Sequence, residues 1–198
     1  MVDSTYVFSP EIRFIKDSLT LRRFGSPAIL RSTRANYGPF SKDCNVIWDL
    51  LVHDISILYA LFGKPNEVSA VGTTTTANVK NYEDCHANFS YIGELDSCNI
   101  HVSWWSKEKV RKLEIVTDKG FITTKFDGYV QFQPFDEEIV VFTMVDNSSP
   151  LEIELNYFNE VIKNKKQPIS NGANACEIVS ILEAVEDSCK HRGELRKL

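Results

Sequence analysis

Two common sequence signals are missing from this chain: a glycine-rich phosphate-binding turn and a long apolar run. Its nine glycines occur singly and no GxGxxG sequence is present, so the usual cradle for a dinucleotide pyrophosphate is not expected. No apolar stretch approaches the roughly 20 residues that a membrane-spanning helix needs. The N-terminus also lacks the charged and then apolar regions of a secretory signal. These absences predict a cytoplasmic protein that does not bind a membrane.

Cysteine pairs and basic clusters are lacking too. The five cysteines are odd in number and form no CxxC, which predicts reduced thiols packed in or near the core. The 22 Lys and Arg residues are spread along a chain of net charge −5, so no basic face for nucleic acid is expected. The chain has 198 residues, of which 43% are hydrophobic and 25% charged. That balance is typical of one soluble globular domain with its own core.

The first third of the chain predicts a strand, a helix, a strand and a longer helix. Val2–Phe8 is rich in β-forming residues, and Ser9-Pro10 is a typical helix start, with Ser as the N-cap. Ala28–Asn36 has the composition of a strand with an Arg-rich polar face. Asn45–Phe62 is long enough for a helix, and Gly63 is a typical helix end.

The remainder predicts a sheet followed by helices. From Glu67 to about Phe142 apolar and polar residues alternate, and turn-like breaks divide the region into short strands joined as hairpins. Helical spacing returns after Pro150. We therefore expect an α+β fold, in which an open, mostly antiparallel sheet carries helices on one face, over a single domain spanning residues 1–198.

Two ionisable residues lie within the apolar helix Asn45–Phe62. Asp49 and His53 are four residues apart, so their side chains are expected to meet on one helix face. Burying both costs several kcal/mol unless they find partners. Either they form a structural pair, or Asp49 orients His53 as a general base for a substrate hydroxyl. A metal site would need more ligands, and because His86, His101 and His191 offer no matching spacing, none is predicted.

Several segments in order resemble one enzyme family. Ser32–Phe40 (STRANYGPF) and Asn45–Asp54 (NVIWDLLVHD) resemble the glucose–fructose oxidoreductase/inositol dehydrogenase family, Gfo/Idh/MocA, and more narrowly its branch that oxidises nucleotide-linked amino sugars. Thr5–Arg13, His101–Trp105 with Lys109 and Arg111, and Leu151–Ser188 agree with the same family. The resemblance covers essentially the whole chain.

The resemblance implies the C-terminal domain of a two-domain enzyme, with the fold of the glyceraldehyde-3-phosphate dehydrogenase C-terminal domain. In such enzymes a Rossmann domain binds NAD or NADP and supplies a Lys from a Glu-Lys-Pro motif, while the second domain supplies an Asp-x-x-x-His pair, matched here by Asp49 and His53. Residues 1–8 would be a remnant strand of the Rossmann domain. This chain alone is expected to bind no cofactor and to be inactive; the Rossmann domain would lie on a separate chain or be missing.

Three more residues are candidate ligands of a sugar or nucleotide-sugar substrate. Arg34 and Asn36 precede the helix and offer hydrogen bonds to hydroxyl or phosphate groups; alternatively, they lie on an exposed sheet edge with an ordinary salt bridge. Asn45 is either a substrate ligand or the helix N-cap. The alternative to an enzyme is a non-catalytic, self-associating or small-molecule-binding module. In both cases a homodimer or tetramer through the sheet is expected.

Overall fold

One sheet forms the frame of the domain. The computed structural model describes residues 1–41, 43–74, 81–93, 95–145 and 148–198, and within these ranges nine strands are hydrogen-bonded in the order β8-β7-β6-β5-β1-β4-β3-β2-β9. Their bounds are β1 Pro27–Tyr37, β2 Glu67–Thr73, β3 Asp84–Ser90, β4 Ser97–Ser103, β5 Trp105–Thr117, β6 Gly120–Thr124, β7 Tyr129–Pro134, β8 Val140–Thr143 and β9 Arg196–Lys197. The predicted series of short strands is confirmed; Glu94, in one predicted turn, lies outside the described residues.

All neighbouring strands are antiparallel except β1 and β4, which are parallel from the pair Ile29–Ser97 to the pair Ala35–Ser103. The chain between β1 and β4 contains a helix and two strands, as a parallel connection requires a long crossover. The sheet is therefore mixed but mostly antiparallel, as predicted.

The predicted helix boundaries at Ser9 and Gly63 agree with the structure. Helix α1 spans Pro10–Thr20, a π-helical turn over Ile47–Leu51 continues into α2 at Val52–Phe62, and α3 and α4 span Pro150–Asn164 and Gly172–Lys190. Ser9 accepts a hydrogen bond from the Ile12 N–H as the N-cap of α1. Gly63, at φ +75°, ends α2 in a conformation that glycine adopts without strain.

The core lies on one face of the sheet only. Alternate strand residues such as Leu30, Ile100 and Val102 are buried against α2 and α4, whereas their neighbours Arg31 and Asn99 are exposed. The helix residues in this core include Leu51, Ile55, Leu58, Ile181, Leu182 and Val185. The α+β architecture with helices on one face is thus confirmed.

The N-terminal segment is the one clear difference from the predicted elements. Val2–Phe8 was predicted to be a strand, but Thr5–Phe8 forms a 3₁₀ helix. Its backbone is satisfied by local bonds and by the C-terminal helices: Val7 N–H donates to the Ser4 carbonyl, and Ser4 N–H donates to Glu154 at 3.0 Å. Without a neighbouring strand among the described residues, β-forming side chains do not make this segment extended, because β preference depends on pairing.

Helix α3 is present as predicted, yet its apolar stripe faces outward. Leu151, Leu155, Phe158 and Ile162 are 51%, 54%, 41% and 58% exposed. The stripe is therefore not part of the domain's own core.

The cysteines are free thiols, three of them buried, as predicted, while Cys44 is half-buried and Cys176 exposed. Among the described residues, no helix combines the length and apolarity that spanning a membrane would require.

Replacing Gly120 by Ala is expected to destabilise the fold by about 2 kcal/mol. A Cβ at this position would lie 2.2 Å from the Gln133 carbonyl oxygen and 2.8 Å from the Pro134 Cα, and neither backbone atom can move aside easily. The measurement is urea unfolding. The matched control is Gly172→Ala, where nothing lies within 4 Å of the new methyl group and a change below about 1 kcal/mol is expected. Equal stabilities for the two variants would contradict the prediction.

Candidate functional site

The helix with the predicted pair begins with a π-helical turn. Asn45 Oδ1 accepts hydrogen bonds from the backbone N–H groups of Ile47 and Trp48, and its Nδ2 donates to Glu186 at 2.8 Å. Of the two predicted roles for Asn45, the structure thus shows the helix cap. The wider turn that follows, a feature often found at functional sites, carries Asp49.

Asp49 contacts a tryptophan instead of the predicted histidine. Its Oδ2 accepts a hydrogen bond of 2.8 Å from the indole Nε1 of Trp104, which is fully buried. Within the described part of the chain, no hydrogen bond joins Asp49 to His53. The Asp49 carboxylate is therefore hydrogen-bonded to a residue at the end of β4. It influences the pKa of His53 only through its charge.

His53 is half-buried at the edge of a cleft. Its ring meets the Tyr6 ring edge-on, with the centroids 5.1 Å apart. Burial is the largest influence and lowers the pKa of His53; the charge of Arg34 lowers it further, and the carboxylates of Asp54 and Asp49 oppose the shift. The imidazole is therefore neutral near pH 7, as a general base requires.

Arg34 forms a buried ion pair with Asp54, the residue after His53. Nε of Arg34 lies 2.5 Å from Oδ2 of Asp54, and the two side chains are only 1% and 2% exposed. Ser32 donates a second hydrogen bond to Asp54 at 2.6 Å. The alternative of an exposed sheet edge was wrong for Arg34, because β1 lies in the sheet between β5 and β4.

The guanidinium of Arg34 also lies over an aromatic ring. Its Cζ is 4.1 Å from the centroid of Tyr6, a cation–π distance, and its Nη1 is buried without a hydrogen-bond partner among the described residues. Burial raises the pKa of Tyr6, but the charges and hydrogen bonds of Arg34 and Arg111 outweigh it, so that the pKa is lowered from its usual value.

Arg111 holds the end of β1 in place. It donates to Asn36 Oδ1 at 2.6 Å and to the Ala35 carbonyl at 3.0 Å, while Asn36 Nδ2 donates to the Gly38 carbonyl. Asn36, a predicted substrate ligand, is therefore occupied by protein contacts. Its side chain serves to position Arg111.

Two adjoining clefts meet at Tyr6 and Phe126. The first, of about 600 Å³, is lined by His53, Glu11 and the start of α3 at Pro150-Leu151. The second, of about 510 Å³, is lined by the cations Lys109, Arg111 and Lys125 and by Lys112, whose Nζ is paired with Glu114 at 3.1 Å. The site thus combines a neutral imidazole, a phenol and a cationic wall.

The sequence predicted His53 and Arg34 as residues of this site, but it did not predict Asp54 and Tyr6. Asp54 carried a usable signal, because it is a second carboxylate within an otherwise apolar helix. Tyr6 carried none, since only the tertiary fold brings the N-terminal segment to α2.

The described residues offer no glycine-rich turn between a strand and a helix. One group of side chains that fits a metal ion does occur among them: Asp84, His86 and His101, on the opposite face of the sheet. Spacing along the sequence does not indicate this group, because only strand pairing brings His86 and His101, 15 positions apart, into direct contact.

Residues 15–123, more than half of the 198, match the GFO/IDH/MocA C-terminal domain. The chain therefore belongs to this family, as the sequence resemblance predicted, and the match is to the family's C-terminal domain. No curated protein sequence matches the chain.

Solved structures show the same fold at low sequence identity. UDP-N-acetylglucosamine 3-dehydrogenase GnnA from Acidithiobacillus ferrooxidans has a TM-score of 0.83 at 19% identity, covering 95% of this chain and 60% of its own. Levoglucosan dehydrogenase in complex with NADH and levoglucosan gives 0.87 at 14%, covering 100% and 66%. An oxidoreductase from Agrobacterium radiobacter in complex with NAD⁺, L-tartaric acid and magnesium gives 0.84 at 13%, covering 100% and 64%. This chain therefore spans about three-fifths to two-thirds of the length of these proteins.

Breaking the buried pair with Asp54→Ala is expected to destabilise the fold by about 3–5 kcal/mol, because it leaves Arg34 charged and unpaired in the core. The matched control is Arg31→Ala on the same strand, which breaks a pair with Glu114 of similar length, 2.9 Å, but with Arg31 51% exposed. This control should cost less than about 1 kcal/mol. Chemical unfolding at pH 7 measures both, and similar losses would contradict the assignment of a buried pair.

Removing the cation of Arg111 with Arg111→Met is expected to raise the pKa of both His53 and Tyr6. The charge of Arg111 favours the neutral imidazole and the ionised phenol, so its loss reverses both preferences. NMR titration of the histidine and tyrosine rings measures the shifts. Lys119→Met, in the turn between β5 and β6, is the control and should leave both values unchanged; an unchanged His53 in Arg111→Met would contradict the prediction.

Proposed function

We propose that this chain is the substrate-side catalytic domain of an NAD(P)-dependent oxidoreductase that acts on a sugar hydroxyl, with His53 as the general base. The observation that carries the proposal is a neutral, half-buried imidazole on the wall of a cleft of about 600 Å³. Membership of the Gfo/Idh/MocA family supports the reaction class. In such a reaction the nicotinamide of a bound NAD(P) accepts a hydride, and the protein must remove the hydroxyl proton.

The residues around His53 suit both states of a general base. Because burial and the charge of Arg34 keep the ring neutral, it can accept a proton from a hydroxyl held within hydrogen-bond distance. Once it is protonated, the carboxylates of Asp54 and Asp49 stabilise the positive ring. Tyr6, whose ring contacts that of His53, would orient the sugar at the same wall.

The cationic cleft supports a nucleotide-linked sugar as substrate. Lys109, Arg111 and Lys125 lie around a cleft that adjoins the first at Tyr6. Such a cluster is suited to the diphosphate of a nucleotide sugar, while the sugar ring reaches His53. Similarity to a dehydrogenase that acts on UDP-N-acetylglucosamine agrees with this arrangement.

The cofactor would have to be held by another domain. The structurally similar proteins are longer than this chain. The exposed stripe of α3 starts at Leu151, which also lines the cleft of His53. An exposed apolar surface next to the cleft supports the presence of a second domain that packs against it. We therefore propose that residues 1–198 alone bind the sugar without oxidising it.

Self-association is the second candidate, and the same stripe favours it. The central outer face of the sheet, where a dimer was predicted, carries the exposed polar residues Arg31, His86, Asn88 and Asn99. The apolar stripe of α3 is better suited to burial between two copies, so a non-catalytic module would use α3. The stripe would be buried either by a second copy of the chain or by a nucleotide-binding domain. Sedimentation of the chain with and without a nucleotide-binding domain distinguishes these two possibilities.

In an enzyme that joins this chain to its nucleotide-binding domain, His53→Gln is expected to lower kcat at least about 100-fold, since the general base is lost. Because the base must be neutral and its pKa lies below the usual 6.5, the wild-type rate should rise with pH below that value and level off above it. The measurement is NADH formation with UDP-N-acetylglucosamine.

The control is His191→Gln, an exposed histidine after α4, which should retain full activity. Binding of UDP-N-acetylglucosamine to the 198-residue chain, followed by NMR, should survive His53→Gln and weaken in Lys109→Met. An unchanged kcat in His53→Gln would instead favour the non-catalytic alternative.

A further inference from the structure

Three metal-ligating side chains lie together on the outer face of the sheet, away from the cleft. Asp84 and His86 are two residues apart on β3, so they point to the same side. His101 on β4 is directly paired with His86 in the antiparallel register. The intervening residues Cys85 and Val102 are buried on the helix-covered face, which places the three ligands on the opposite one.

The ligand atoms converge on one small volume. Nε2 of His101 lies 2.9 Å from Oδ2 of Asp84, and Nε2 of His86 lies 3.6 Å from Oδ1 of the same carboxylate. One potential ligand atom from each residue lies within 4.8 Å of the other two. Two ligands of a tetrahedral zinc ion are about 3.4 Å apart for bonds of about 2.1 Å, so small side-chain rotations suffice.

The two imidazoles of the group are stacked on each other. Their planes differ by 4° and their centroids are 3.9 Å apart, so the two rings lie side by side on the outer face of the sheet. The side chains of Asp84, His86 and His101 are 25%, 63% and 33% exposed, which leaves the cluster open to an ion from solvent.

We propose that Asp84, His86 and His101 form a binding site for a divalent first-row transition-metal ion of the zinc type. Two imidazoles and one carboxylate are nitrogen and oxygen ligands typical of zinc, and three protein ligands leave one position for water or an external ligand. An ordinary ion pair needs only His101 and Asp84. The imidazole of His86 at the same carboxylate therefore favours a metal site over an ion pair. The site lies on the other face of the sheet from His53 and does not depend on the proposed function.

Zn²⁺ titration of the 198-residue chain by calorimetry tests the site, in a Cys176→Ser background that removes the exposed thiol. One ion per chain is expected. Asp84→Asn, His86→Gln and His101→Gln should each weaken binding at least about tenfold, and the double histidine variant should abolish it. These positions are partly exposed, so the variants should fold; circular dichroism confirms this.

The control is His191→Gln. His191 lies 3.4 Å from Asp187 on α4, but these two side chains form a pair and not a group of three ligands. This variant should bind Zn²⁺ like the parent. In Co²⁺ titrations the parent should show a d–d absorption band that is lost in His86→Gln and His101→Gln. Parent-like binding in both variants, or no binding by the parent, would overturn the proposal. Neither result concerns the role of His53, because no substrate or cofactor is present.

Discussion

The buried ion pair between Arg34 and Asp54 is the constraint on which the site depends. It joins the sheet to α2, and both side chains are almost completely excluded from solvent. A charge buried without its partner costs several kcal/mol, so strand and helix are held in the one arrangement that pairs them. Ser32 completes the contact to Asp54. Because His53 precedes Asp54 in the chain, this pairing also positions the imidazole at the cleft.

The same pair sets the electrostatics of the cleft. The charge of Arg34 lowers the pKa of both His53 and Tyr6, while the charge of Asp54 partly offsets its effect on the imidazole. The result is an imidazole that is neutral near pH 7, with carboxylates nearby that would stabilise its protonated form. A single buried cation–carboxylate contact therefore contributes to both the fold and the proposed proton transfer.

The two faces of the sheet have different character. The inner face carries the core and the cleft, whereas the central outer face is polar and holds the proposed metal ligands Asp84, His86 and His101. Exposed apolar side chains lie along α3, beside the cleft, and on the edge strand β8 at Val140 and Val141. Because the stripe of α3 adjoins the cleft, it supports placing the proposed covering domain on the helical side.

The sequence by itself determined most of the elements, since alternation and capping residues such as Ser9 and Gly63 act locally, and it marked His53 as an ionisable residue in an apolar helix. It also determined the family. The partners of the ionisable groups were decided only by the tertiary structure: Asp49 binds Trp104 instead of His53, and the neighbour of Arg34 is Asp54. The physical reason is that strand order and register bring distant residues together. A buried polar group takes the partner that this packing offers, whatever its spacing along the chain.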